Sequence, residues 1–152
     1  MTENLQIIQT KLVHLERMQA YLGYSLSQVA KILPLQDWTL LTPDQHESLA
    51  AFRVRFSEFQ EHIGKTMRAV AVEEEQDVER FGAVLAFMER LEVLDSAARW
   101  KAIRELRNAV NHEYDDDSAR LAEFFDQLAT ETPVLFGYLK RLKEFCAKHY
   151  GI

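Results

Sequence analysis

The chain has 152 residues, of which 47% are hydrophobic and 28% charged, and it carries a net charge of −6 at pH 7. This length fits one domain (residues 1–152) with a sizeable core, and the short apolar runs exclude a membrane-spanning segment. The acidic balance argues against broad, nonspecific nucleic-acid binding, so any contact with RNA would need a local basic cleft. The single cysteine, Cys146, excludes an internal disulfide. Together with an N-terminus that lacks a secretory signal, it predicts a cytoplasmic protein.

Two long amphipathic helices are predicted in the first half of the chain. Apolar residues at spacings of three and four predict a helix over about residues 3–33, and they are Leu5, Ile8, Leu12, Leu15, Leu22, Leu26, Val29 and Leu33. Beyond Pro34, Thr42 and Pro43 supply a cap and a favourable first helical residue. A second stripe predicts a helix over about residues 44–72 and consists of Leu49, Phe52, Phe56, Phe59, Ile63, Met67 and Val70. Two such helices joined by a short loop should pack antiparallel.

Shorter helices are predicted in the second half of the chain. A third carries Phe81, Val84, Leu85, Met88 and Leu91. A fourth begins after Asp95 or Ser96, carries Trp100, Ile103, Leu106 and Val110, and ends near Tyr114. A fifth begins at Asp115-Asp116-Asp117-Ser118, and Thr132-Pro133 either begins a sixth helix or kinks the fifth. The sequence therefore predicts an all-α, up-and-down bundle of five to six helices with a long antiparallel N-terminal helix pair.

The stretch from Arg107 to Tyr114 brings together residue types suited to phosphodiester chemistry. Arg107 is a permanent cation that can bind a phosphate through two parallel hydrogen bonds. His112 can give or take protons near neutral pH. Asn108, Asn111 and Tyr114 add polar groups in the same eight residues. This combination indicates phosphodiester cleavage that needs no metal.

Helical geometry separates the members of this stretch. At about 100° per residue, Arg107 and Tyr114 would share a face at the edge of the buried stripe of the fourth helix. His112 would point about 140° away from Arg107 on the same regular helix. Either the helix loosens near Asn111, or a symmetric dimer combines the motifs of two chains in one cleft. We favour the dimer.

The layout Arg-x4-His-x-Tyr on a late helix of an all-α domain resembles the HEPN superfamily, and within it the HepT toxins of bacterial HepT–MntA toxin–antitoxin pairs. The matching residues are Arg107, Asn108, His112 and Tyr114. The resemblance implies a dimeric, metal-independent endoribonuclease that requires no cofactor. It also implies a partner, an MntA-like nucleotidyltransferase antitoxin that neutralises the toxin by adding AMP to a tyrosine in or beside the motif.

The resemblance also implies a role for each residue of the motif. Arg107 would bind the scissile phosphate, and His112 would act as general base or acid. Asn108 would orient the phosphate or the histidine, and Asn111 would support the site. Tyr114 would help to position RNA and is the candidate for AMP addition. Some relatives carry a further tyrosine two positions after the arginine, where this chain has Ala109.

Each residue of the motif could instead serve the fold alone. Arg107 could form an ion pair with a carboxylate, His112 could be a cation favoured by a helix C-terminus, and Tyr114 could pack with its hydroxyl exposed. The aspartates at 115–117 suit a helix start better than a metal site. Gly64-Lys65-Thr66 resembles the end of a P-loop, but Phe59 stands where the first glycine is required.

Two other kinds of function remain open. The chain could be a non-catalytic accessory subunit that presents nucleotide or substrate to a nucleotidyltransferase, which the acidic net charge favours. It could also be a helical assembly domain that uses its long helix pair. The complete motif favours the ribonuclease.

Overall fold

A computed structural model describes residues 1–108 and 117–152. These two ranges contain five α-helices and no β-strand, so the prediction of an all-α bundle is confirmed. The helices are α1 (Glu3–Val29), α2 (Pro43–Glu73), α3 (Phe81–Arg90), α4 (Ala97–Arg107) and α5 (Ser118–Tyr150). A short 3-10 turn, Trp38–Leu40, lies between α1 and α2.

Helices α1 and α2 form the predicted antiparallel pair. The side chain of Asn4 near the start of α1 donates hydrogen bonds of 3.1 Å to the Ala69 carbonyl and to Glu73 near the end of α2. Farther along the pair, Arg55 donates a 2.7 Å bond to the Ser25 hydroxyl. Helix α1 ends at Val29, before the predicted residue 33, because Pro34 has no N–H to continue the helix and its ring would clash with the carbonyl four residues earlier, that of Ala30.

The buried surface of the bundle comes from all five helices. The aromatic row of α2, Phe52, Phe56 and Phe59, is fully buried, as its helical spacing predicts. Trp100 from α4 and Tyr138 from α5 are also buried. Within the described ranges, no helix combines the length and the apolar character needed to cross a bilayer.

Helices α2 and α3 both end in a tight reversal with a glutamate at the position that usually holds glycine. Glu75 has a φ of 57° and Glu92 a φ of 60°. After α2, the backbone N–H of Gln76 bonds back to the Ala71 carbonyl at 2.9 Å, and after α3 that of Val93 bonds to Met88 at 3.0 Å. This hydrogen-bond pattern is a Schellman motif. The two reversals return α3 and then α4 to the side of α2, where the candidate site lies.

Helix α4 is shorter than predicted. Ser96 caps its N-terminus as expected, but the helix ends at Arg107 rather than near Tyr114. Asn108 closes the last turn through a 3.1 Å bond from its N–H to the Glu105 carbonyl, the i→i+3 geometry common at helix ends. The predicted projection of Arg107 and Tyr114 onto one helical face involves Tyr114, which lies outside the described residues.

Helix α5 decides between the two predictions for Pro133, the start of a sixth helix or a position within the fifth. The proline lies inside one continuous helix, so no sixth helix begins there. The N-terminus of α5 is capped by Asp117, whose side chain accepts from the backbone N–H of Arg120, in agreement with the predicted start signal.

Candidate functional site

A pocket of about 360 Å³ opens between α2, the first residue of α3 and the length of α4. We call it the basic pocket because four of its lining residues are cations and one is a carboxylate. The lining consists of Gln60, Glu61, Gly64, Lys65, Arg68, Phe81, Trp100, Arg104 and Arg107. This acidic chain therefore has a local basic cleft.

Helical spacing explains why these residues meet. On α2, Gln60, Gly64 and Arg68 are four residues apart, so their positions lie on one face. On α4, Trp100, Arg104 and Arg107 recur at spacings of four and three and share a face in the same way. The two faces meet, and the basic pocket lies between them.

Arg107 is half-buried at the end of α4 and also lines a second pocket of about 300 Å³ with Ser57 and Asn108. Its Nη1 donates a 2.9 Å hydrogen bond to the Ser57 carbonyl. Among the described residues no carboxylate forms an ion pair with it. Burial and the neighbouring charge of Arg104 lower the pKa of Arg107, and Glu61 partly opposes them. A guanidinium has five N–H donors and stays charged at neutral pH, so Arg107 can still bind an anion.

Gln60 is the least expected member of the lining. Its side chain is 1% exposed, and its Nε2 donates a 3.2 Å hydrogen bond to the Trp100 carbonyl. Its Oε1 is buried and has no hydrogen-bond partner among the described residues. If the Gln60 amide were turned over so that Oε1 and Nε2 exchanged places, Oε1 would face the Trp100 carbonyl oxygen, and two acceptors cannot form a hydrogen bond. A buried acceptor without a donor costs about 1–3 kcal/mol, so its presence needs an explanation.

Two aromatic rings pack against the backbone of α2 at Gly64. A Cβ at this position would lie 3.3 Å from Cζ of Phe81 and 3.4 Å from Cζ2 of Trp100. Glycine therefore lets the rings approach the helix more closely than alanine would. The guanidinium carbon of Arg68 lies 5.6 Å from the centre of the Phe81 ring, within cation–π distance.

The opposite end of α4 carries a cluster of paired charges, which we call the paired cluster: Asp95, Arg99, Glu131 and Tyr138. Arg99 contacts Asp95 at 3.2 Å and Glu131 at 3.3 Å. The Tyr138 hydroxyl donates a 2.6 Å hydrogen bond to Asp95. Burial of Tyr138 and the Asp95 carboxylate raise the pKa of the phenol. Burial alone would raise the pKa of Asp95, but hydrogen bonds from Tyr138, Arg99 and the Ser96 N–H outweigh it and lower that pKa.

Two of the five site residues predicted from sequence lie in the described part of the chain. Arg107 lines the basic pocket, and Asn108 caps α4 and lines the second pocket. The predictions for Asn111, His112 and Tyr114 fall outside the described residues.

Sequence reasoning missed the partners of Arg107 in the basic pocket. Lys65 belongs to the segment that resembled the end of a P-loop; it is helical and lines the basic pocket. Arg104 could have been found, because it lies three residues before Arg107 on a helix. Gln60 and Arg68 carried no such signal, since pairing their positions with α4 requires the tertiary fold.

Comparisons with known protein families, with curated proteins and with solved structures found no match to this chain. A function for the basic pocket has to be inferred from its own side chains.

Proposed function

We propose that this chain is a HEPN-type, metal-independent endoribonuclease toxin that cleaves tRNA or mRNA. The observation that carries the proposal is Arg107. It is a half-buried guanidinium with no described carboxylate partner, and it lies in a basic pocket of an acidic protein. It is also the first residue of the Arg-x4-His-x-Tyr motif. A cation held at a cleft without a direct ion pair to a described carboxylate suits a site that binds a phosphate.

In the proposed reaction, the RNA 2′-oxygen forms a bond to the adjacent phosphorus as its proton passes to a base. The bond from phosphorus to the 5′-oxygen breaks, and that oxygen takes up a proton. The products are a 2′,3′-cyclic phosphate and a 5′-hydroxyl. Arg107 stabilises the negative charge that develops on the phosphoryl oxygens. His112 transfers protons, and Asn108, Asn111 and Tyr114 support the site and position RNA.

The proposal includes a homodimer with a composite site. Arg107 of one chain and His112 of the other would then act on one phosphate. Mixing Arg107→Ala with His112→Ala protein under conditions that exchange subunits tests this. Half of the dimers would be mixed, each with one intact site of two, so the mixture should recover roughly a quarter of wild-type activity. No recovery in exchanged dimers would place both residues of each site on one chain.

The proposal also includes regulation in the cytoplasm by an MntA-like nucleotidyltransferase antitoxin. AMP added to Tyr114 would bring bulk and negative charge to the site and block RNA. Incubation with such an enzyme and ATP, followed by mass mapping, should find AMP on Tyr114, and Tyr114→Phe should prevent its addition there.

The decisive experiment for catalysis is incubation of the purified protein with tRNA in EDTA. Wild type should produce fragments ending in 2′,3′-cyclic phosphate, and Arg107→Ala and His112→Ala should each lose about a hundredfold or more in rate. Arg99→Ala is the matched control, because it removes an arginine of the same helix that is already ion-paired. Full activity of His112→Ala would refute its catalytic assignment.

A second candidate function is a non-catalytic nucleotide-binding subunit of a nucleotidyltransferase. The size of the basic pocket favours it, since about 360 Å³ falls in the range of small-molecule sites. It predicts nucleotide binding with no RNA cleavage by wild type under any of these conditions.

A further inference from the structure

The basic pocket contains features that a phosphate site alone does not explain. A phosphate offers oxygen acceptors, which suit Arg104 and Arg107. It offers no donor to the buried Oε1 of Gln60 at neutral pH. The pocket also includes the rings of Phe81 and Trp100. These features suit a ligand with an apolar, planar part and at least one N–H group.

We propose that the basic pocket binds a nucleobase with an exocyclic amino group, such as adenine or cytosine, next to the phosphate held by Arg104 and Arg107. The inference rests on the proposed function in that Arg107 binds an RNA phosphate, and it adds which nucleotide the site prefers beside that phosphate. The base packs among Phe81, Trp100 and the guanidinium of Arg68. Its amino group donates to Gln60.

The balance of donors and acceptors in the lining selects the amino group. Only two side chains of the lining offer acceptors, Gln60 through Oε1 and Glu61 through its carboxylate. Glu61 also contacts Lys65 at 3.4 Å, but a carboxylate can accept several bonds. An amino group has two N–H donors, one for each acceptor. Uracil has one ring N–H flanked by two carbonyl oxygens, so a carbonyl oxygen of the base would face an acceptor of the lining.

The orientation of Gln60 makes this selection strict. Its Nε2 is held by the Trp100 carbonyl at 3.2 Å, so the amide cannot turn over to present a donor without losing that bond. A ligand that lacks an N–H leaves Oε1 buried and unpaired. Sites built this way discriminate strongly against analogues that lack the donor.

The test measures equilibrium binding to the full-length His112→Ala protein, which separates recognition from cleavage. The probes are AMP and purine riboside 5′-monophosphate, which differ only in the amino group, and the measurement is isothermal titration calorimetry. We expect AMP to bind about tenfold tighter or more. Adding Gln60→Leu should remove the difference in affinity by weakening the binding of AMP. Adding Arg104→Ala should weaken the binding of both probes by the same factor.

Thr66→Val is the matched control on α2. It removes another buried polar group, a hydroxyl that donates to the His62 carbonyl at 2.8 Å, outside the basic pocket, and should leave the difference between probes intact. Equal affinities for the two probes, or no binding of either, would overturn the proposal. So would discrimination that survives Gln60→Leu. If Gln60→Leu fails to fold, the relative affinity of the two probes for the His112→Ala protein still tests the proposal.

The outcome is independent of whether the chain cleaves RNA. If the two probes bind equally but Arg107→Ala loses RNA cleavage, the base site is refuted and the ribonuclease proposal stands. If wild type does not cleave tRNA but binds AMP more tightly than the other probe, the base site stands and the ribonuclease proposal is refuted.

Discussion

At the N-terminal end of α4, Arg99 contacts both Asp95 and Glu131, and Tyr138 completes the paired cluster. Toward the C-terminal end, Arg104 and Arg107 line the basic pocket without an ion pair to any described carboxylate. One helix of eleven residues thus carries charges that are satisfied within the fold and charges that are not. A helix C-terminus favours cations, which explains why they are tolerated there. The contrast suggests that the paired cluster serves stability and the basic pocket serves binding.

The sharpest test of this division replaces arginine by lysine at each end. Arg107→Lys keeps the charge but loses the planar fork that binds phosphate through two hydrogen bonds. We expect the rate of RNA cleavage to fall about 10- to 100-fold, the equivalent of one charge-assisted hydrogen bond. Arg99→Lys should leave the rate within about twofold. Equal losses in both variants, measured by single-turnover cleavage, would remove the functional distinction between the two ends.

Tyr138→Phe tests whether the paired cluster contributes to stability and not to RNA cleavage. The change removes the 2.6 Å hydrogen bond to Asp95 while keeping the buried ring. We expect the free energy of unfolding to fall by about 1–2 kcal/mol and RNA cleavage to be unchanged. Urea denaturation and the tRNA assay measure the two quantities. A variant as stable as wild type would show that the hydrogen bond adds nothing to the fold.

A smaller effect, on the salt dependence of RNA binding, should distinguish the basic pocket from the paired cluster. If Lys65 and Arg104 contact RNA phosphates, replacing either by alanine should weaken binding several-fold at moderate salt. It should also lower the slope of log K against log salt by about 0.7 for single-stranded RNA. Arg99→Ala should leave the slope unchanged. Fluorescence anisotropy over a salt series is sufficient, and an unchanged slope in Arg104→Ala would exclude that residue from the RNA interface.

The smallest expected effect is a pH dependence of the paired cluster. The pKa of Asp95 is lowered from 3.8 in the folded protein, so its contribution to stability is present above that pH and is lost as pH falls through the folded value. Asp95→Asn should therefore melt below wild type at pH 7, with the difference shrinking under acidic conditions. A difference in Tm that stays constant from pH 7 to pH 2 would contradict this assignment.

The helical periodicity predicted most of the fold because it depends on local sequence. Leu49, Phe52 and Phe56 repeat at helical spacing, and Thr42-Pro43 is a start signal that the structure uses. The errors lie at helix ends. The apolar pattern runs past Arg107 to Val110, but α4 ends at Arg107, where hydrogen bonding by Asn108 closes the turn. Pro133 was ambiguous because a proline can begin a helix or lie within one.

The candidate site was only partly predictable. Arg107 stood out because its neighbours in sequence suggested chemistry, and it lines the basic pocket. Gln60 could not be recognised, since an unpaired buried acceptor is a property of three-dimensional packing rather than of residue type. Arg68 and Phe81 likewise meet only because α3 turns back after the reversal at Glu75.

Helix α4 is anchored to the bundle by two buried side chains, Trp100 and Ile103, whereas α2 has twelve buried residues. Local opening should therefore release α4 well before α2, and its amide protons should exchange with deuterium sooner. Because one wall of the basic pocket belongs to each helix, a ligand that bridges them slows the opening of α4 in proportion to its occupancy. Protection of α4 amides would then report binding even when no chemistry follows.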